Sequence, residues 1–258
     1  MEKEISWKTA ITDDKDGAGR IRGYKIEDLI GEKSFIETVW LLIRGELPDK
    51  NETALFNAIL VSIADHGIAV PSITASRIVA SGGNSINAAI AAGVLACGDS
   101  HGGAIENCMK MLETASKTSP DAKSAASLIV EKFESEKLRL PGFGHKIFQT
   151  DPRSAKLLSL ARKLNIGEKY CELAEAIEAE LAERKKRALP LNVDGAIAAL
   201  LLSMNFPTES GKAIFLIGRI AGISAHTIEE KTREKPFRRL QADEYLYDGV
   251  PPRDIPEI

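Results

Sequence analysis

Three of the four histidines in this chain of 258 residues fall in glycine-bearing breaks: Asp65-His66-Gly67, Ser100-His101-Gly102-Gly103 and Pro141-Gly142-Phe143-Gly144-His145. Imidazoles titrate near neutral pH, and bare glycines beside them let a bulky ligand come close to the backbone. Asp194, in Asn192-Val193-Asp194-Gly195, precedes an apolar run from Ala196 to Met204. A carboxylate facing such a run is partly stripped of water, which raises its pKa and makes it a usable proton carrier. Arg153, Arg219 and Arg238 supply planar, permanently charged forks that grip carboxylate or phosphate. The inventory suits proton transfer on a substrate bearing several carboxylates. The sequence contains no Walker-type phosphate loop, no dinucleotide fingerprint, no H-E-x-x-H and no G-x-S-x-G.

Each residue also has a purely structural reading. His101 and His145 could cap helix ends, Asp194 could be a helix N-terminal acid, and His66 could pair with Asp65. His226, on an apolar helix face, is read as structural.

The elements that must hold these groups are nearly all helical. Ser34 and Glu37 form a capping box before Ile36, Val39, Trp40 and Ile43, and Gly45 stops that helix. Pro48-Asp49 opens a second helix through Leu55, Ile59 and Ile63. Alanine-rich segments run from Pro71 to Ala80 and from Ser85 to Ala96, split by Gly82-Gly83. Ser119-Pro120 starts a helix with Ala125, Leu128, Ile129 and Phe133 on one face. Asp151-Pro152, an N-cap followed by proline at the first helical position, starts another that runs to Leu164. Glu168 to Arg187 ends in Lys185-Lys186-Arg187, a basic cluster where the helix dipole favours it or where an anion would bind. Thr208 caps the last long helix. Residues 9–12 and 20–24 read as the one hairpin, and the proline-bearing tail from Lys235 reads as an extended arm over the surface or a neighbouring subunit.

At 28.0 kDa and 44% apolar residues the chain can fill a sizeable core. A net charge of -3 and a pI near 5.9 argue against nucleic-acid and membrane-surface partners. The apolar runs are too interrupted to span a bilayer, and residues 1–4 do not open a signal peptide, so a cytoplasmic location is expected. Cys97, Cys108 and Cys171 form no C-x-x-C pair and read as reduced core thiols; no metal site is expected.

In order along the chain, Arg22-Gly23-Tyr24 with Ile26-Glu27-Asp28-Leu29, Gly45-Glu46-Leu47-Pro48, Ala64-Asp65-His66, Ser100-His101-Gly102-Gly103-Ala104, Pro141 to His145, Asn192-Val193-Asp194 and Gly218-Arg219 resemble the citrate synthase superfamily. Pro48 and Asp65 stand much closer than in full-length synthases. In that shortening the chain looks like the compact citryl-CoA lyases and the C-terminal citryl-CoA lyase module of ATP citrate lyase. The resemblance implies a mostly α, two-domain helical fold with a small N-terminal β-hairpin. Its larger domain would be 1–111 with 208–258, and its smaller one 112–207. It implies cleavage of citryl-CoA to acetyl-CoA and oxaloacetate, with a short citrate or 2-methylcitrate synthase as the alternative. A non-catalytic acyl-CoA-binding subunit is the reading from another class.

By the same resemblance His101, His145 and Asp194 are catalytic, while His66, Arg153, Arg219 and Arg238 bind substrate carboxylates, Arg238 reaching across a homodimer. Leu140, Gly142, Phe143, Gly144, Lys146, Lys186, Arg187 and Asn192 would face CoA. No cofactor is expected to be tightly bound, coenzyme A thioesters entering as substrate or product. The other expected partners are citrate, a second copy of the chain and a separate citryl-CoA synthetase.

Overall fold

The computed structural model describes residues 7–15, 17, 19–119, 121–144, 151–185 and 189–255. Strands β1 (Thr12–Asp13), β2 (Arg20–Ile21) and β3 (Tyr24–Lys25) form an antiparallel sheet in that order. The sequence predicts one strand across 20–24, and the structure corrects this. Arg22 and Gly23 take φ of 49° and 90°, the left-handed pair that turns a two-residue hairpin with the right twist, so the segment folds back on itself. The Arg22 guanidinium donates to the Leu42 carbonyl at 2.9 Å, fastening the hairpin to the helices.

Those helices are α1 (Ile26–Leu29), α2 (Phe35–Arg44), α3 (Lys50–Ile63), α4 (Pro71–Ser81), α5 (Ile86–Leu95), α6 (Ala104–Thr118), α7 (Ala122–Ser135), α8 (Pro152–Lys163), α9 (Glu168–Lys185), α10 (Val193–Ser203) and α11 (Ser210–Arg233). The predicted starts of α2 and α3 are present as complete capping boxes, Ser34 with Glu37 and Asp49 with Glu52. Gly45 closes α2 at φ 86°, as a left-handed C-cap does.

The structure departs from the sequence reading at three helices. Helix α6 has no counterpart in the sequence reading. On α7, Leu128 is 53% exposed while Ala126 and Val130 are buried beside Ala125 and Ile129, and Asp121 rather than Ser119 caps the helix. On α11 the N-cap is Glu209, without a side-chain cap, in place of Thr208.

One buried cluster runs from Val39 to Phe215. Its axis is α10, where every residue from Ala196 to Leu201 is fully buried. A helix apolar on all sides belongs inside a domain, and α6, α8 and α9 surround this one. Trp40, Phe56 and Phe206 pack ring on ring, with centroids 4.7 to 5.5 Å apart. The three cysteines are free and buried, as expected. Among the described residues no helix is long and apolar enough to cross a membrane. From Arg239 to Ile255 the tail is exposed and has no regular structure.

Candidate active site

His66, His101, Arg153, Asp194 and Arg219, drawn from five separate places in the chain, line one hollow of about 190 Å³. Ser100 and Phe215 complete much of its wall. Two of the three residues expected to do acid-base work therefore meet, together with three of the four expected to bind carboxylates.

His101 sits in the turn before α6, its N–H donating to the Gly98 carbonyl at 3.1 Å. The turn tolerates no larger residue beside it. Gly102 has φ +97°, and a Cβ there would meet the Phe215 ring at 2.6 Å. That ring stands edge-on to the imidazole, centroids 5.9 Å apart. His101 Nε2 lies 2.8 Å from Ser72 Oγ, and Ser72 is fully buried at the start of α4. With the serine hydroxyl as donor, the imidazole keeps its proton on Nδ1. Burial, reinforced by Arg219 and His66, lowers the His101 pKa, so the ring is neutral at neutral pH and can donate a hydrogen bond without carrying charge.

Asp194 is set by the N-cap of α10. Asn192 Oδ1 accepts from the Asp194 and Gly195 N–H groups at 3.0 and 3.2 Å, so the helix already begins at Val193 where the sequence predicts a continuing break. The other end of the same side chain donates to the Gly144 carbonyl at 3.1 Å. The chain from Pro141 to Gly144 is thereby zipped against residues 190–192. Gly144 N–H donates to the Pro190 carbonyl at 2.7 Å, Asn192 N–H donates to the Gly142 carbonyl at 3.0 Å, and Phe143 pairs with Leu191. Burial raises the Asp194 pKa, with Asp151 adding to it, against the opposing pull of Arg153 and Arg219. The carboxyl holds its proton to higher pH than an ordinary aspartate.

Asp151, fully buried, ties this corner together. Its carboxylate caps α8, accepts from Arg153 Nε at 3.2 Å and Nη2 at 3.0 Å, and accepts from the Val193 N–H at 3.0 Å. Burial opposes its charge, yet those hydrogen bonds outweigh it and its pKa is lowered. Arg153 is thus oriented by a fixed anion with part of its fork left toward the hollow.

Arg219 is 3% exposed. Its Nε donates to the Ile63 carbonyl at 2.9 Å and its guanidinium lies 5.0 Å from the Phe215 ring centroid. Its Nη1 is buried without a hydrogen-bond partner among the described residues. An unsatisfied buried guanidinium nitrogen is costly, and a ligand carboxylate in the hollow is the natural acceptor. His66 also lines the hollow, while its neighbour Asp65 turns away to pair with His226 Nε2 at 3.3 Å. That contact fixes His226 to the Asp65 side chain, in keeping with a structural role.

Arg238 is held elsewhere. Its Nε pairs with buried Glu230 at 2.7 Å, Glu230 also binds buried Arg77 at 2.7 Å, and the Arg238 N–H donates to Ser81 Oγ at 3.2 Å. In its own chain it does not reach the hollow, and the adjacent Arg239 has no partner among the described residues. Leu140 and Phe143 pack against the core. His145, Lys146, Lys186 and Arg187 lie outside the described residues. Among those described, no three His, Cys, Asp or Glu side chains stand together in a way that could hold a metal ion. Sequence reasoning missed Ser72, Asp151 as an orienting anion, and Phe215. The sequence marks Asp151 only as a helix cap.

The family model described as "Citrate synthase, C-terminal domain" matches residues 1–59 and 48–240. Among solved structures, the chain is similar to citryl-CoA lyase from Hydrogenobacter thermophilus, at 43% identity with 98% of each chain covered and a TM-score of 0.92. It is also similar to ATP citrate lyase from Methanothrix soehngenii, solved in complex with citrate and coenzyme A, at 25% identity, covering 97% of this chain and 43% of that one, with a TM-score of 0.84. Citrate synthase 2 of Bacillus subtilis (strain 168) is 32% identical over 200 residues, 76% of this chain and 52% of that protein. The chain spans about half the length of the curated relatives it matches.

Proposed function

The chain belongs to the citrate synthase family, and from that premise we propose that it is a citryl-CoA lyase, cleaving citryl-CoA to acetyl-CoA and oxaloacetate. The observation that carries this reading is the meeting of His101 and Asp194 in one hollow with Arg153 and Arg219. The reaction is a retro-aldol step. A base takes the proton of the tertiary hydroxyl, the C–C bond breaks, its electron pair passes to the thioester as an enolate, and oxaloacetate leaves with a new carbonyl. His145 is the base by its place in the family motif. His101, neutral and anchored by Ser72, donates to the enolate oxygen. Asp194, its pKa raised by burial, carries the proton that converts the enolate carbon to a methyl group. Arg153, Arg219 and His66 hold the carboxylates, and CoA enters as part of the substrate.

The same groups catalyse condensation in reverse, so the rival reading is a short citrate or 2-methylcitrate synthase, favoured by the identity to the Bacillus protein. Only the fate of the thioester divides the two. Purified protein given citryl-CoA is expected to release oxaloacetate rapidly with little free CoA. Efficient free CoA from acetyl-CoA and oxaloacetate would favour the synthase, and silence in both directions a binding subunit.

The lobes are taken as 1–111 with 208–258 and 112–207, the hollow receiving residues from both. A homodimer is the expected assembly, with a separate citryl-CoA synthetase supplying the substrate. Supporting the dimer, α5 has no charged residue yet leaves Ile86 43% and Leu95 84% exposed, beside exposed Ile78 of α4 and Ile220 and Ile228 of α11. Such a face calls for a cover. With Arg238 occupied by Glu230, Arg239 becomes the better candidate for a cation delivered to the partner's hollow. Sedimentation of the purified chain at twice the monomer mass is the expected result.

A further inference from the structure

His66 reaches the hollow from the short connection between α3 and α4, and little packs on that connection to hold it. A Cβ on Gly67, which has φ +76°, would meet nothing within 4 Å among the described residues, and Ile68 is 53% exposed. At the far end Thr74 Oγ1 donates to the Ile68 carbonyl at 3.0 Å. At the near end the hold comes from Asp65, whose Oδ2 accepts from the Gly67 N–H at 3.1 Å and whose carboxylate also accepts from the His66 N–H. An aspartate bonded to the backbone two residues on is a turn built by its own side chain. The direction in which His66 leaves the chain is therefore set by where the Asp65 carboxylate is held.

Helix α11 holds it. Three successive residues where α3 ends each take a donor from that helix. The Ile63 carbonyl accepts from Arg219 Nε at 2.9 Å, and the Ala64 carbonyl accepts from the Gly222 N–H at 3.1 Å. The two Asp65 carboxylate oxygens lie 3.3 and 3.4 Å from His226 Nε2. Gly218, Gly222 and His226 recur at every fourth residue, so they share one face of α11. The two glycines let the chain come in close: a Cβ at Gly218 would lie 2.7 Å from Ile63 Cγ1, and one at Gly222 would lie 2.5 Å from the Ala64 carbonyl oxygen and 2.7 Å from Asp65 Oδ1.

His226 is placed to make one bond. Its Nδ1 is buried without a hydrogen-bond partner among the described residues, so the neutral ring keeps its proton on Nε2, facing the carboxylate. Burial works against charge on Asp65, but the hydrogen bonds from Gly67, His226 and His66 outweigh it and lower the Asp65 pKa. The anion so maintained also stands behind Arg219, where it is the foremost of the charges that counter the effect of burial on the guanidinium. Asp65 is not among the described residues that line the hollow, yet it acts on two that are.

We propose that Asp65 and His226 are positioning residues for the carboxylate-binding side of the hollow. The Asp65 carboxylate bends its own loop so that His66 enters the hollow, and His226 holds that carboxylate to the helix that carries Arg219. His66 and Arg219 then keep one fixed separation, suited to a substrate with more than one carboxylate. The proposal rests on the reading of His66 and Arg219 as carboxylate binders and adds what fixes them relative to each other. Neither Asp65 nor His226 carries a chemical step.

The test removes the donor and keeps a ring. His226→Phe fills the same space and gives up, besides the Nε2 bond, only an unpartnered Nδ1, so it is expected to melt within a few degrees of the parent. Its KM for citryl-CoA and its calorimetric Kd for citrate are expected to rise about three- to tenfold, with kcat within about twofold. His226→Gln, which returns an N–H donor, is expected to recover most of that loss. In a His66→Ala background His226→Phe is expected to add less than about twofold to either constant, because the loop it steadies no longer carries the imidazole. The full effect in that background, a fall in kcat with KM unchanged, or a His226→Gln variant as weak as His226→Phe would each overturn the proposal. Should His226→Phe fail to fold, Asp65→Asn, at a half-exposed side chain, takes its place: its citrate Kd is expected to rise by a similar factor, and an unchanged Kd overturns the proposal. A parent that binds citrate but cleaves no citryl-CoA refutes the lyase reading alone, and the citrate constants then decide the positioning role. A parent that binds neither refutes the reading of the hollow, and the positioning role falls with it.

Discussion

The close packing of Gly142 on the start of α10 makes a demanding prediction. Gly142 has φ +84°, and a Cβ there would lie 2.7 Å from Cys108 Sγ and 2.7 Å from Gly195 Cα. Alanine at positive φ costs about 1–2 kcal/mol of backbone strain, and forcing a methyl group into filled space adds about 1–3 kcal/mol. Gly142→Ala is therefore expected to cost about 2–5 kcal/mol, or roughly 10 °C in Tm at about 2–4 °C per kcal/mol for a chain of this size. Gly144 provides the control, because it has φ +90° but its Cβ would find only Leu189 Cδ2 at 3.5 Å, an ordinary contact. Gly144→Ala is expected to show the strain alone, roughly 5 °C. Thermal melts followed by circular dichroism measure both. Because the Gly142 carbonyl accepts from Asn192 N–H, the first variant is also expected to lose turnover through a displaced Asp194. Equal melting temperatures for the two variants would refute the packing argument, since the overlap with Gly195 and Cys108 is what separates them.

Three further outcomes follow from the geometry. Ser72→Ala removes one hydrogen bond from His101 and is expected to lower kcat about three- to tenfold with the KM for citryl-CoA little changed; an equal rise in KM would mean the serine acts on binding. Glu230→Ala leaves buried Arg77 without its 2.7 Å partner and is expected to cost about 3–5 kcal/mol in urea unfolding, whereas a loss under 1 kcal/mol would show that the Arg77, Glu230 and Arg238 cluster is not closed in solution. Burial raises the Asp194 pKa and the Arg153 charge restrains that rise, so removing the charge by Arg153→Ala lifts the pKa further. Cleavage needs Asp194 protonated, hence the alkaline limb of kcat is expected to move to higher pH in this variant, and a move to lower pH would contradict the assignment of Asp194 as the acid.

What could be read from the sequence was what is local. The capping box at Ser34, the start of α3 at Asp49 and the proline start of α8 depend on residues within one turn of each other, and all three are present. Helix α6 escaped because neither end carries a side-chain cap, although its buried residues Ile105, Cys108, Met109, Leu112 and Ala115 fall at helical spacing. The Leu128 face was misjudged because helical spacing alone does not say which of two adjacent stripes meets α9. In the site, glycine-flanked histidines and an aspartate before an apolar run were visible, and His66, His101 and Asp194 do converge. Ser72 was invisible, since its contact with His101 spans 29 residues and a buried serine in a helix has no local signature. The second task of Asp151, holding the Val193 N–H, crosses 42 residues and was equally beyond a local reading.

In the proposed function the hollow shared by His101 and Asp194 performs the carbon-carbon cleavage. The most direct measurement is oxaloacetate release from citryl-CoA by Asp194→Ala beside the parent protein, with the CoA affinity of both taken by calorimetry. In this variant kcat is expected to fall about 10²-fold or more while the CoA Kd stays within about twofold. Turnover equal to that of the parent, or a parallel loss of turnover and CoA binding, would contradict it.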